Sequence, residues 1–408
     1  MIPSHASPLS NRAGRYIRQP AGYNAFLPAP LPPDPPLELG RLVGLLSRAD
    51  QSIGRLDGVG QTLPNPDLFV AMYVRREAVL SSQIEGTQST LDDVLAFELD
   101  HSRTQLPSDV AEVVNHVAAM NYGLQRLDTL PLSLRLIREI HARLLEGVRG
   151  GGKDPGEFRE SQNWIGGQGG LIANAAFVPP PPGELLDSLG NLELFLHEPG
   201  DLPLLVHAGL AHAQFETIHP FLDGNGRVGR LLITFLLVHN GVLHRPLLYL
   251  SYFLKGHRAE YYDRLMAVRN DGDWEGWLAF FLRGVAETAD EATRTAGAIV
   301  NLREEHRRRV TDLGGNAFAL LDYLYRQPLA NVRSIVDALR VSWPTANKLS
   351  QEFCDRSVLT EVTGNKRNRV FRYSPYLNLF SGPMPPAPEA QGPVQPTLNP
   401  GSVTGSVT

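Results

Sequence analysis

Twelve consecutive residues carry groups able to do chemistry together: His219-Pro220-Phe221-Leu222-Asp223-Gly224-Asn225-Gly226-Arg227-Val228-Gly229-Arg230. His219 is a base that titrates near neutrality, and just ahead of a phosphate cradle it can take a proton from an attacking hydroxyl. Asp223 is a hard oxygen ligand suited to Mg²⁺, which takes one or two carboxylates and completes its shell with substrate phosphates. The apolar run from 231 to 238 reads as a buried helix, so a glycine-containing loop opens onto a helix N-terminus. Free backbone N–H groups and the positive end of the helix dipole make such a junction an anion site. Gly224 and Gly226 let the backbone turn and approach a ligand closely. Arg227 and Arg230, three apart, share a helix face and can grip one oligophosphate. The chemistry indicated is phosphoryl or nucleotidyl transfer, which depends on positioning, a divalent ion and positive charge at the phosphate oxygens. An EF-hand calcium loop is excluded, because Val228 and Thr234 stand where its glycine and its bidentate glutamate belong.

The run matches the pattern HPFx[D/E]GNGRxxR, and the chain resembles the Fic family on those residues. The resemblance implies transfer of AMP from ATP to a Ser, Thr or Tyr hydroxyl of a protein, self-modification included. It implies His219 as general base, Phe221 as the core anchor of the loop and Asp223 as the Mg²⁺ ligand. Gly224, Asn225 and Gly226 then form the anion hole, and Arg227 and Arg230 meet the distal phosphates. Related Doc-type kinases carry Lys where this chain has Gly226, which favours AMP transfer over phosphate transfer. Contacts to the base lie outside the run, so nucleotide donors other than ATP stay open.

Two further elements must position this centre. A helical stretch from about 67 ends in Ser81-Ser82-Gln83-Ile84-Glu85-Gly86. Ser81 and Glu85 are four apart and share a face, and Gly86 is a helix stop. The segment resembles the inhibitory motif [S/T]xxxE[G/N] of Fic proteins, in which the Glu pairs with the second arginine, Arg230. A carboxylate there competes with the γ-phosphate for one set of donors and displaces the α-phosphate. The second element runs from Trp164-Ile165-Gly166 to Ala176-Phe177-Val178, ahead of Pro179 to Pro182. It reads as a β-hairpin and resembles the Fic flap, whose edge takes up the target segment as an added strand. Tyr262, in a later helical segment, resembles the region that lines the nucleotide base.

Composition sets the frame. The chain has 408 residues, a formal charge of −5 and 42% hydrophobic residues, enough for two or three domains and against a generic polyanion binder. One cysteine excludes an internal disulfide framework and fits a reducing cytoplasm. No signal peptide or membrane span is evident. The fold class expected is mostly α: a helical Fic core with a β-hairpin flap and a C-terminal winged helix-turn-helix. The divisions expected are a Pro-rich arm at 1–37, an N-terminal helical region with the inhibitory helix at 38–130 and the Fic catalytic core at 131–290. A helical connector follows at 291–313, with the charged run 303–309 as a solvated face, then a winged helix at 314–377 and a disordered tail at 378–408.

In the 314–377 module, Asn331 is an N-cap and Pro344 sits at a helix start. Lys348 falls on the recognition helix, and Lys366, Arg367 and Arg369 fall on the wing, where they can meet DNA phosphates. Two functions stand. One is an autoinhibited AMP transferase using ATP and Mg²⁺ on a protein target. The other is a nucleotide-sensing DNA-binding regulator with a vestigial core. The intact His219, Asp223, Asn225, Arg227 and Arg230 favour the first. Monomer and homodimer remain open.

Overall fold

Leu204–Ile218 and Asn225–His239 carry mostly apolar or small residues around their circumference, and both are buried helices at the centre of the molecule, holding Glu216, Arg227 and Arg230 among them. A helix apolar all round belongs in a core rather than on a surface. The computed structural model describes residues 12–62, 66–100, 107, 109–166 and 171–380.

In chain order, a hairpin of β1 (Gly14–Arg18) and β2 (Asn24–Pro28) precedes α1 (Val43–Thr62), α2 (Pro66–Ile84), α3 (Leu91–Leu99) and α4 (Val110–Arg126). Then come α5 (Leu134–Leu144), α6 (Pro182–His197), α7 (Leu204–Ile218), α8 (Asn225–His239), α9 (Ser251–Gly256), α10 (Arg258–Asp271) and the long α11 (Trp274–Arg309). The C-terminal part holds α12 (Gly315–Arg326), β3 (Leu329–Asn331), α13 (Val332–Leu339), α14 (Trp343–Asp355), β4 (Thr360–Glu361), β5 (Val370–Arg372) and α15 (Ser374–Asn378).

The central pair α7–α8 is wrapped by α4, α5, α6, α10 and α11, and α2 packs on α4, α8 and α9. This mostly helical build is the expected one. The Pro-rich start differs from an extended arm: residues 14–28 pair antiparallel from Gly14↔Pro28 to Arg18↔Asn24. Tyr16 and Phe26 stack edge to face with centroids 5.1 Å apart, and Phe26 is fully buried. The turn through Pro20-Ala21-Gly22 permits this reversal. Residues 1–11 lie outside those described.

The C-terminal helices and strands also pack onto the remainder. The strand order is β3-β5-β4, all antiparallel. Asn331 caps α13 by accepting from the Ser334 amide at 2.8 Å while the Ser334 hydroxyl accepts from the Asn331 amide. Arg372 pairs with Asp92 of α3 at 3.0 Å. The charged run 303–309 is only partly a solvated face. Arg303 is buried against Asp322 at 3.1 Å, and buried His306 shares a 2.7 Å hydrogen bond with the Tyr373 hydroxyl. Residues 378–380 belong to the folded part, since Phe380 is buried on Tyr73 and Tyr376. The remaining tail, 381–408, lies outside the described residues.

Candidate active site

The reactive loop begins where α7 stops. His219 adopts φ 50° and ψ 61°, left-handed, and its amide still donates to Phe215 O at 2.9 Å. For a side-chain-bearing residue this conformation costs about 1–2 kcal/mol and persists where neighbours over-determine it. They do so here through the loop's own backbone. The His219 carbonyl accepts from Arg159 Nε and Asn163 Nδ2, each at 3.0 Å. The Pro220 carbonyl accepts from the Arg159 amide at 2.9 Å. Asn225 closes a two-bond ring on Phe221, accepting its N–H and donating to its carbonyl, both at 2.8 Å. The Phe221 ring is buried and stacks on His141 at 3.7 Å. His141 Nδ1 accepts from the Gly156 amide, so Nε2 carries the proton donated to the Asp223 carbonyl at 3.0 Å. Burial holds His141 down to about 4, hence neutral.

Gly224, at φ 78°, is the N-cap of α8 and gives it no side-chain cap. The first-turn N–H groups of α8 are therefore left for a ligand. They open on a cleft of about 370 Å³ that also meets His219, Asp223, Arg230 and Tyr262. His219 Nδ1 lies 3.3 Å from the Glu216 carbonyl, so this nitrogen is the donor and Nε2 is free to act as a base. Burial, then the charge of Arg269, holds the ring down to about 4. The Asp223 carboxylate accepts from the Gly224 amide at 2.7 Å, with Lys153 at 3.3 Å and Arg227 at 3.6 Å.

Both loop arginines are gripped from the N-terminal helices. Arg227 pairs with Glu112 of α4 at 3.3 Å, and Arg149 meets the other oxygen of Glu112 at the same distance. Arg230 donates to the Ser81 hydroxyl at 2.8 Å, to the Ser81 carbonyl at 3.0 Å and to Glu85 Oε1 at 2.7 Å. Burial pushes the Glu85 carboxyl up, but the charge and hydrogen bond of Arg230 more than offset it, so Glu85 is ionised. Gly226 permits this seat, because a Cβ there would stand 2.2 Å from Glu85 Oε1.

Among the described residues the expected hairpin shows one bridge, Ile165↔Phe177. Ile165 N–H donates to Phe177 O at 2.8 Å, and Ala176 N–H donates to Ile165 O at 3.0 Å. The carbonyl of Val178 accepts from Phe26 of β2 at 2.9 Å, so that side of the strand is already taken. The glycine-rich stretch after Ile165 offers few side chains to pair across a ladder. Trp164, Gly166 and Ala176 face outward, whereas Phe177 and Val178 are buried. Arg269 lies over the Phe177 ring at 3.9 Å and donates to the Glu216 carbonyl at 3.0 Å. Tyr262 borders the cleft part-exposed, and Tyr261 beside it is buried, with its hydroxyl 2.9 Å from His212.

Reading the sequence placed Arg159 and Asn163 at the start of the flap element without a bracing role, and missed His141, Glu112, Glu216 and Arg269. The one local signal was Glu216, three residues ahead of His219.

Residues 43–125 match the family described as Fic/DOC family N-terminal, and residues 131–237 match the Fic/DOC family. Those residues therefore carry a Fic/DOC N-terminal segment and a Fic/DOC domain. It is 37% identical over 166 residues to a protein adenylyltransferase Fic of Aedes aegypti, covering 39% of this chain and 29% of that one. A protein of the same name from Drosophila grimshawi is 32% identical over 185 residues, covering 44% and 34%. The matched part thus spans about a third of these relatives. A crystal structure of a Fic family protein from Desulfovibrio desulfuricans G20 shares the fold, with a TM-score of 0.54 at 21% identity over 81% of this chain and 95% of that one. Among the described residues no helix is long and apolar enough to cross a membrane.

Proposed function

We propose that the chain is an autoinhibited protein adenylyltransferase, moving AMP from ATP to a Ser, Thr or Tyr hydroxyl of a protein, its own chain included. One observation carries this reading. A neutral His219, the uncapped first turn of α8 and Arg230 share one cleft, with Glu85 seated on Arg230 at 2.7 Å. The names of the Aedes and Drosophila relatives support it.

His219 Nε2 takes the proton of the acceptor hydroxyl as its oxygen forms a bond to the α-phosphorus. The bond from that phosphorus to the bridging oxygen breaks, and pyrophosphate leaves with the electron pair. First-turn amides of α8 and Arg227 hold the phosphate oxygens as they gain charge. Tyr262 borders the base. Asp223, a carboxylate at the cleft, fits Mg²⁺, and among the described residues no cluster of three or more His, Cys, Asp or Glu is present. One protein carboxylate with substrate phosphates suits that ion, which would neutralise phosphate charge. The outward edge around Ile165, whose own main-chain groups are held by the bridge, takes the acceptor segment by main-chain hydrogen bonds to Trp164 and Gly166.

Glu85 occupies the donors of Arg230 that a γ-phosphate needs, with Ser81 fixing the same guanidinium from the side. Nucleotide then binds with its α-phosphorus off line, and an error near 1 Å costs about a hundredfold in rate. Intact-mass spectrometry of Glu85→Gly incubated with Mg²⁺ and each of ATP, GTP, UTP and CTP tests this, with and without cell lysate proteins. The expected result is an AMP adduct with ATP, at least about tenfold above wild type and absent in Glu85→Gly/His219→Ala. Equal labelling of wild type and Glu85→Gly would overturn the inhibition. No adduct with any nucleotide would overturn the transferase and return the chain to the nucleotide-sensing alternative.

A further inference from the structure

Glu216 sits on the last turn of α7 and its side chain is 8% exposed. Among the described residues its Oε1 has no hydrogen-bond partner, and its Oε2 lies 3.9 Å from His219 Nδ1. A buried carboxylate oxygen left unpaired costs about 1–3 kcal/mol or more, so an unpaired one in a cleft wall asks for a reason. The fold makes room for it. A Cβ at Gly229 of α8 would stand 2.6 Å from Oε1. The carboxyl borders the same cleft as His219 and the α8 N-terminus. Facing it are Glu85 from the turn after α2, Arg230 from α8, and Arg269, Tyr261 and Tyr262 from α10.

We propose that Glu216 is a positioning residue for His219: its main-chain carbonyl, 3.3 Å from Nδ1, holds that nitrogen as the donor, and its carboxylate, 3.9 Å from Nδ1, stabilises the imidazolium formed when Nε2 takes the acceptor proton. The inference rests on the nucleotidyl-transfer reading for its step, though not for its geometry. During that step the hydroxyl proton moves to Nε2, the hydroxyl oxygen bonds to the α-phosphorus, and pyrophosphate departs with the electrons of the broken bond. The imidazolium positive charge then lies between Nε2 and Nδ1, and the Nδ1 side faces the Glu216 carboxylate, with Glu85 also acting on the ring. Neutralising that carboxylate removes the support without touching ATP.

The sign of the pH effect follows. Burial pushes the Glu216 carboxyl up to about 7, with Arg230 pulling it down and Glu85 pushing it up. Support for the imidazolium is present above that value and fades as pH falls through it. His219 alone would set a limb at about 4. Removing Glu85 takes away a repelling charge and leaves Arg230 freer to favour ionised Glu216. Release of inhibition and strengthening of the base are therefore coupled through one arginine.

The test is ¹⁵N NMR of histidine-labelled full chain, wild type and Glu216→Gln, with the His219 signals identified by their loss in His219→Ala. The expected result is a Nδ1 shift that moves between about pH 6 and 8 without ring protonation, and that is absent in Glu216→Gln. His219 signals flat across that range in wild type would overturn the inference. In a second arm, Glu85→Gly/Glu216→Gln should lose at least about tenfold in the turnover of Glu85→Gly, keep its KM for ATP, and have its acid limb moved to lower pH. Unchanged turnover and limb would overturn it too. No transfer by Glu85→Gly, with the NMR inflection present, would sink the transferase and leave the Glu216–His219 contact standing. Matching circular dichroism and melting of the two proteins separates this from misfolding.

Discussion

The loop 219–224 and the flap 164–178 face each other across one cleft and are built in opposite ways. Every backbone carbonyl of His219, Pro220, Phe221 and Asp223 has a donor fixed to another part of the core: Arg159, Asn163, Asn225 or His141. Among its described residues the flap has one bridge at Ile165↔Phe177 and one bond onward to β2. A rigid loop keeps a base and an anion site within tenths of an ångström, which catalysis by positioning demands. An edge with unused main-chain groups accepts whatever segment can pair with it. The contrast teaches that accuracy and tolerance are allotted to different walls.

The largest expected effect breaks the rigid wall. Asn225→Asp keeps the acceptor for the Phe221 amide but sets a carboxylate oxygen against the Phe221 carbonyl, where the amide nitrogen now donates at 2.8 Å. Losing that donor in a buried site costs about 1–3 kcal/mol, more for a charge. The loop must then shift, and AMP transfer in the Glu85→Gly background should fall about a hundredfold or further. Urea unfolding and transfer assays read both effects. Full turnover with reduced stability would show that the ring on Phe221 supports the fold but not the geometry of reaction.

Legibility in the sequence followed the same division. The run 219–230 was readable because a base, an anion loop and a helix start are set by neighbours in the chain. Ser81 and Glu85 were readable because four residues make one helix face, and the contact to Arg230 is as expected. The bracing groups were not. Arg159 and Asn163 reach loop carbonyls from the segment before the flap, 56 to 60 residues away, and no periodicity encodes a side-chain-to-carbonyl bond. His141 reads as one more residue of an amphipathic helix until Phe221 lands on it. Residues 14–28 were read as an arm because proline density around them masks the alternation of Tyr16, Phe26 and Ala25. Phe177 and Val178 were read as part of the target-docking flap, and strand alternation does not say which neighbour, β2 or a target, covers a given edge.

A smaller effect belongs to the tolerant wall. Ile165→Pro deletes the N–H that donates to Phe177 O at 2.8 Å and leaves the loop 219–224 untouched. One neutral hydrogen bond is worth about 1 kcal/mol, so labelling of added protein acceptors by Glu85→Gly should drop about five- to tenfold. ATP affinity, measured by calorimetry, should stay the same. A loss of ATP binding instead would make the flap part of the nucleotide site and remove the contrast between the two walls.

The smallest effect sharpens it. Gly166 holds φ +66°, and a Cβ there would come 3.1 Å from the Ala176 Cβ. Alanine in that conformation costs about 1 kcal/mol, and the neighbour must give by a few tenths of an ångström. The strain is confined to an exposed tip, so the melting temperature of Gly166→Ala should match the parent closely. The flap edge, however, would sit at a slightly different angle to His219. KM for the acceptor should rise about two- to fivefold while turnover at saturation holds, because the loop still places the base. A fall in turnover with KM unchanged would mean that the flap tip shapes the reacting geometry itself, and that accuracy is shared by both walls.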